Sequence, residues 1–360
     1  MTLPVVALLG RKDEPTDAVE DYCRYLGAAL QAHDIQLQIR RVSWEIHGWH
    51  ESLHELRVQA SDWRGKWVLL QYTALAWSAR GFPLRFLRVL KMLKSAGARV
   101  GIVFHDVEPY SSPRLIDQVR RRVQVHVMRG GLDLCDLSIL TVPAENLCWP
   151  KEIPRTSVFI PVGPNLPFPD PPIPKAQLDL PTIGVFSITG GEQGARETQV
   201  ILQVACRVSQ RLGKLRLSVF GRHSELREAA LRDGLREFPV QLSVEGTLEP
   251  EEVVERFAEC DVLLFVRQGI SSRRSSAIAG IAAGLPIVAY SGTETAPPVT
   301  SAGVVLVDPN KPEQLSNELV EILTNPNHCE ELSARSRSAY HTYFSWSAIA
   351  KQLITLLRSA

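Results

Sequence analysis

The chain has no run of apolar residues approaching the roughly 20 needed to span a bilayer, so no membrane-spanning helix is expected. It also has no CxxC pair. Its six cysteines (Cys23, Cys135, Cys148, Cys206, Cys260, Cys329) are scattered, without a partnered histidine cluster. That pattern argues against a zinc site and a disulfide frame, and for reduced thiols in a cytoplasm. Strong net charge is missing too: at +1 the molecule as a whole has no pull on polyanions, so no nucleic-acid partner is expected and any basic patch must be local. With 45% apolar and 22% charged residues there is no signature of disorder. The opening LPVVALLG runs straight into Arg11-Lys12-Asp13-Glu14, which reads as a first strand rather than a signal peptide. A soluble cytoplasmic protein is the expectation.

What is present is a regular alternation. Val5–Leu9 reads as a buried strand ending at Gly10, and Asp17–Ala32 as an amphipathic helix with Val19, Tyr22, Cys23, Leu26 and Leu30 at helical spacing. Strands at Ile35–Val42, Trp67–Gln71, Arg99–Phe104 and Leu137–Val142 alternate with helices at Glu51–Ala60, Leu84–Ala96 and Arg114–Arg129. Residues 161–181 are proline-dense and without periodicity, which predicts a semi-rigid linker. The alternation then restarts at Thr182 with a strand and a helix over Ala195–Leu212, and continues to a terminal helix at Ser347–Arg358. Such spacing implies βαβ units in parallel sheets covered on both faces, and 360 residues suit two domains. The expected fold class is α/β, two Rossmann-like doubly wound parallel sheets. Ligands in such sheets sit beyond the carboxyl ends of the strands, so the cleft between the domains is the default site.

The central stretch is GISSRRSSAIAGIAAGLPIVAY, Gly269–Tyr290. An apolar strand, Val262–Val266, leads into a loop of hydroxyl residues (Ser271, Ser272, Ser275, Ser276) around Arg273 and Arg274; an Ala/Gly-rich helix follows, stopped at Gly284-Leu285-Pro286. Free backbone N–H groups, hydroxyls and a positive helix end converge there on one point, and two guanidiniums suit phosphate oxygens. A solvated strand-to-helix connection is the competing reading.

By these features the chain resembles the GT-B glycosyltransferases, in particular the large retaining family four that takes nucleotide-sugar donors. The likeness rests on Ile160-Pro161-Val162-Gly163-Pro164-Asn165, Glu245-Gly246-Thr247, Glu259-Cys260-Asp261-Val262-Leu263-Leu264, Ala283-Gly284-Leu285-Pro286-Ile287-Val288-Ala289 and Phe344-Ser345-Trp346, in that order. The resemblance implies an N-terminal acceptor-side domain over 1–163, a linker over 164–181, a nucleotide-sugar domain over 182–343 and a last helix, 344–360, crossing back to the first domain. It implies sugar transfer with retention to a glycan or lipid-linked acceptor, with a nucleoside-diphosphate sugar as donor substrate and neither cofactor nor metal. One departure is plain: the two glutamates that the family carries before its Gly-x-Pro turn are replaced here by Ser271 and Ala279. A nucleotide-sugar epimerase and a non-catalytic nucleotide-sugar binder are therefore the alternatives.

Sugar transfer needs stabilisation of a departing diphosphate, which phosphate-directed donors supply. Arg273 and Arg274 are the expected catalytic cations, with Arg196, beside the Gly-rich loop Thr189–Gly194, as a further donor-binding residue. The resemblance puts Glu245 and Gly246 by the nucleotide base and Gly10 where the backbone approaches the substrates. Glu294 is the nearest carboxylate for a ribose role, against the plainer reading of a solvated loop charge. His105, at the end of a strand, is expected to meet the sugar or the developing charge. No glycosidase-like carboxylate pair is evident. Finally, Arg80, Arg85, Arg88, Lys91, Lys94 and Arg99 are interrupted by no acidic residue, and Arg120–Arg122 and Arg129 follow on the next helix. With Phe86, Val89, Leu90 and Leu93 as the core stripe, the cations face outward, a pattern that suits an anionic membrane surface at about 1 kcal/mol per cation.

Overall fold

The computed structural model describes residues 3–14, 16–110, 112, 114–169, 174–176 and 178–359. The chain divides into two compact units, Met1–Val162 with Trp346–Ala360, and Gly163–Ser345.

The first unit runs β1 (Leu3–Leu9), α1 (Ala18–Gln31), β2 (Ile35–Arg41), α2 (Trp44–Ala60), β3 (Trp67–Tyr72), α3 (Leu84–Ser95), β4 (Arg99–Phe104), α4 (Leu115–Leu134), β5 (Leu137–Leu140) and β6 (Ser157–Phe159). All strand pairs are parallel, in the order β2-β1-β3-β4-β5-β6. Every residue of β3 is buried, as its unbroken apolar run requires of a strand covered on both faces. Asp17 caps α1 by accepting from the N–H groups of Val19 and Glu20, both at 3.1 Å. The period-based reading of α2 began seven residues late. Gly48, at φ 75°, interrupts the helical backbone there, and Trp44 before it stacks on Trp49 just after it at 5.1 Å in place of a simple amphipathic stripe. β6, three residues long, was too short to show a period.

The second unit continues with β7 (Thr182–Phe186), α5 (Gly191–Leu212), β8 (Leu215–Phe220), α6 (Glu228–Leu235), β9 (Val240–Glu245), α7 (Pro250–Ala258), β10 (Val262–Phe265), α8 (Ser275–Ala282), β11 (Ile287–Tyr290), β12 (Val304–Val307), α9 (Glu313–Thr324) and α10 (Pro326–Ala339). Its parallel sheet has the order β12-β11-β10-β7-β8-β9, so the winding reverses between β7 and β10. Residues 170–173 and 177 of the expected linker lie outside the described residues. Its described end is tied to the second unit: Lys175 pairs with Asp261 at 2.5 Å and Ala176 N–H donates to the Ala258 carbonyl.

The helix α11 (Trp346–Ser359) belongs to the first unit. It buries Ile349, Ala350, Leu353, Ile354 and Leu357, Trp346 stacks on Tyr25 of α1 at 5.8 Å, and Trp67 Nε1–H donates to the Leu357 carbonyl at 3.1 Å. Leu353→Ala should therefore cost about 2–4 kcal/mol in urea unfolding, by the usual large-to-small core penalty, while Lys351→Ala on the exposed face should stay within about 0.5 kcal/mol.

Candidate active site

In a doubly wound sheet, the loops on either side of the reversal diverge and leave a crevice at the strands' carboxyl ends. In the second unit those loops are 187–190 after β7 and 266–274 after β10. The Gly-rich segment is not a free loop: Gly190 caps α5, and Gly191 and Gly194 lie in its first turns. Gly194 is obligatory, because a Cβ there would stand 1.8 Å from the Thr189 carbonyl oxygen. Glu197, buried on the same helix, accepts from the Thr189 N–H at 2.8 Å and so fixes the turn from inside.

One side chain joins the two loops. Arg267 Nε donates to Thr189 Oγ1 at 3.4 Å, and its NH1 donates to Ser276 Oγ at 3.3 Å, in the first turn of α8. The guanidinium thus lies at the starts of two helices that follow adjacent strands. Burial makes Arg267 easier to deprotonate than a free arginine; Glu197 opposes this and the nearby Arg222 adds to it. A cation held by hydroxyls at two positive helix ends, with a second arginine near, is a concentration of positive charge suited to an anion. Arg267 was missed in the sequence. The available signal was its place, a basic residue directly after a buried strand at the reversal of winding.

Arg273 and Arg274 are differently engaged. Arg273 Nε donates to Glu294 Oε2 at 2.7 Å, and both side chains are largely buried, 14% and 8% exposed. Glu294 is therefore not a solvated loop charge: the loop after β11 folds over the β10 loop, with Thr295 Oγ1 donating to the Ile270 carbonyl at 2.6 Å and Gly269 packed on Gly292. The other oxygen, Glu294 Oε1, is buried without a hydrogen-bond partner, as is Ser271 Oγ. Arg274 donates to Gln268 at 3.0 Å; Ser272 is buried, and Ser275 opens α8. Arg196 stands apart from these contacts, 73% exposed and 4.0 Å from Glu192. Glu245 is bound at 3.0 Å by Arg256, which also pairs with Glu259, and the Gly246 carbonyl accepts from Gly221 N–H.

In the first unit, the winding reverses between β1 and β3. There a cavity of about 230 Å³ is lined by Gly10, Asp17, Gln71, Thr73 and Asp106 among others. A Cβ at Gly10 would stand 2.2 Å from the Ala76 carbonyl oxygen, so close backbone packing alone explains that glycine. Asp106 accepts from the Ala74 N–H at 2.8 Å. His105 is turned inward: Nε2 lies 2.8 Å from Gln71 Oε1, and the ring meets Tyr22 edge-on at 4.8 Å. Because Gln71 Nε2 donates to the Leu69 carbonyl, its Oε1 must accept, which assigns the proton to His105 Nε2 and leaves Nδ1 as the acceptor. Burial lowers the His105 pKa to about 4, with Asp17 opposing, so the ring is neutral near pH 7.

Two doubly wound parallel-sheet units, each with its polar groups at the winding reversal, define the GT-B class. Residues 196–339 match the family described as glycosyl transferases group 1. The fold, with the match over residues 196–339, marks the chain as a glycosyltransferase. Among solved structures it is similar to HepE from Anabaena in complex with UDP and glucose, at 14% identity, covering 99% of this chain and 100% of that one, with TM-score 0.66. It is also similar to sucrose-phosphate synthase from Thermosynechococcus elongatus, at 16% identity, 99% and 98% coverage and TM-score 0.69. A third is WaaG, a glycosyltransferase involved in lipopolysaccharide biosynthesis, at 14% identity, 99% and 100% coverage and TM-score 0.65. No curated protein sequence matches the chain.

The pH dependence of His105 follows from its burial. The unfolded chain takes up its proton below about 6.5, the folded chain only below about 4, so the stability it confers is present above pH 6.5 and is lost as pH falls between these values. Urea midpoints measured across that window should fall more steeply for the parent than for His105→Asn.

Proposed function

We propose that the protein transfers a sugar, with retention, from a nucleoside-diphosphate sugar to a glycan or lipid-linked acceptor. The observation that carries this reading is Arg267, held by Thr189 and Ser276 at two helix starts. In this reading the guanidinium and the first amides of α5 and α8 take the diphosphate. Negative charge grows there as the anomeric carbon becomes oxocarbenium-like, and donors fixed beforehand stabilise it without reorganisation. Support for a nucleotide donor comes from HepE, whose structure holds UDP and glucose.

The other roles follow from what each group has left to offer. Glu294, held in place by Arg273, presents its unpartnered Oε1 to donor hydroxyls, a substitute for a carboxylate that Ser271 and Ala279 do not supply. Ser271 Oγ, buried and without a partner, offers a further donor. In the first unit the cavity at Gly10 and Gln71 receives acceptor hydroxyls, with neutral His105 positioning the Gln71 amide. The protein works as a peripheral membrane protein at the cytoplasmic face, touching it through the basic side of α3. Within that side Lys94 is already paired with Asp136 at 2.5 Å, which reduces its share of the contact.

Thermal unfolding with UDP-, GDP-, ADP- and dTDP-sugars should pick out one donor by a raised midpoint. Against that donor, Arg267→Gln should lower turnover about a hundredfold or more and abolish the shift, within the range for removing one oxyanion donor. Arg274→Gln, whose side chain turns to Gln268 and not to Thr189 or Ser276, should cost about tenfold at most. A fully active Arg267→Gln enzyme would refute the assignment. In the same assay Glu294→Gln should weaken donor binding more than it slows a saturated enzyme, because its proposed contact is to hydroxyls distant from the breaking bond.

A further inference from the structure

The outer surface of the first unit carries a groove of about 370 Å³ between α2 and α3. From α2 it is lined by Trp49, His50, His54 and Arg57, and from α3 by Arg85 and Arg88. The two sets are one helix face each: positions 50, 54 and 57 recur at the period of α2, and 85, 88 and 92 at that of α3. Leu53 and Met92 complete the lining, and none of it is a carboxylate. Glu51 and Glu55 project from another flank of α2 and are exposed.

This concentration of charge is uncompensated. Among the described residues Arg57, Arg85 and Arg88 take part in no ion pair, whereas Lys94 of the same helix is bound to Asp136. The Arg85 guanidinium is nonetheless held in place, 5.4 Å from the centre of the Trp49 ring, which is itself stacked on Trp44. Like charges set in one groove repel, and an anion there would relieve the repulsion. The surroundings say which anion. Val58 and Leu84, large apolar side chains on the same two helices, are exposed. An aromatic ring, exposed apolar groups and unpaired cations on one face are the marks of a surface that sits at a lipid–water boundary.

We propose that the groove between α2 and α3 is a binding site for the phosphate of an anionic lipid headgroup, with Arg85 and Arg88 as its phosphate ligands and Trp49 at the interface. It gives the peripheral contact proposed above a defined site, and it rests on that contact alone, not on the identity of the donor.

The test is sedimentation with phosphatidylglycerol–phosphatidylcholine vesicles at low salt, comparing two double variants of equal charge. R85Q/R88Q removes two groove cations; R80Q/K91Q removes two from the same region but outside the lining. The expected result is binding by the parent, a loss of about thirtyfold or more for R85Q/R88Q, and a loss of less than about fivefold for R80Q/K91Q. Unchanged thermal midpoints would show that both variants fold. Equal losses in the two variants would leave a diffuse surface contact and overturn the site. No binding by the parent would overturn the site and the peripheral contact together, with the transferase reading untouched. Equally tight binding of the parent to vesicles of phosphatidylcholine alone would show that the anionic headgroup is not what the groove reads, and would overturn the lipid assignment.

Discussion

A half-buried arginine at the reversal of winding constrains the whole second unit. Arg267 sits where β10 ends, and its hydrogen bonds reach the loop after β7 and the first turn of α8. To hold it there, Thr189 must be presented at the correct height, which Glu197 ensures by accepting its N–H, and α5 must begin tightly against that turn, which only a glycine at 194 permits. The reversal of winding between β7 and β10 supplies the space. Each of these features has a local explanation, yet together they keep one cation ready at two positive helix ends, a state unfavourable without an anion and favourable with one.

The loop expected to grip phosphate divides its duties. Ser276 and the start of α8 serve the Arg267 cluster, while Arg273 turns the other way to Glu294. A buried pair of this kind is a weak source of stability, because desolvation of both charges offsets their attraction. Its value lies in what it leaves over: one carboxylate oxygen of Glu294 stays unpartnered, in a chain that has Ser271 and Ala279 instead of the glutamates of the resembled family.

The strands and most helices were legible from periodicity because long apolar runs and 3.6-residue stripes are one-dimensional signals; β4 falls at the expected residues and α5 ends where expected, at Leu212. The site was only half legible. Adjacent Arg273 and Arg274 stand out by eye, but their partners Glu294 and Gln268 are chosen by loop packing, which no spacing rule encodes. Arg267, one cation after an apolar run, gives no pattern at all until the strand order is known. Likewise the basic run from Arg80 to Arg99 reads as one face, and the fold sorts it: Lys94 to Asp136, Arg99 over the Trp67 ring at 4.2 Å, and Arg85 and Arg88 to the groove beside α2.

The first unit is assembled from segments far apart in the chain, since α11 packs on α1 and Trp67 Nε1–H donates to the Leu357 carbonyl. During synthesis the earlier strands leave the ribosome long before residues 346–359 exist, and until then the surface of α1 that buries Leu353 and Leu357 stays open to water. The second unit, contiguous from Gly163 to Ser345, can close as it emerges. The nascent chain is thus expected to complete its later half first and its earlier half last.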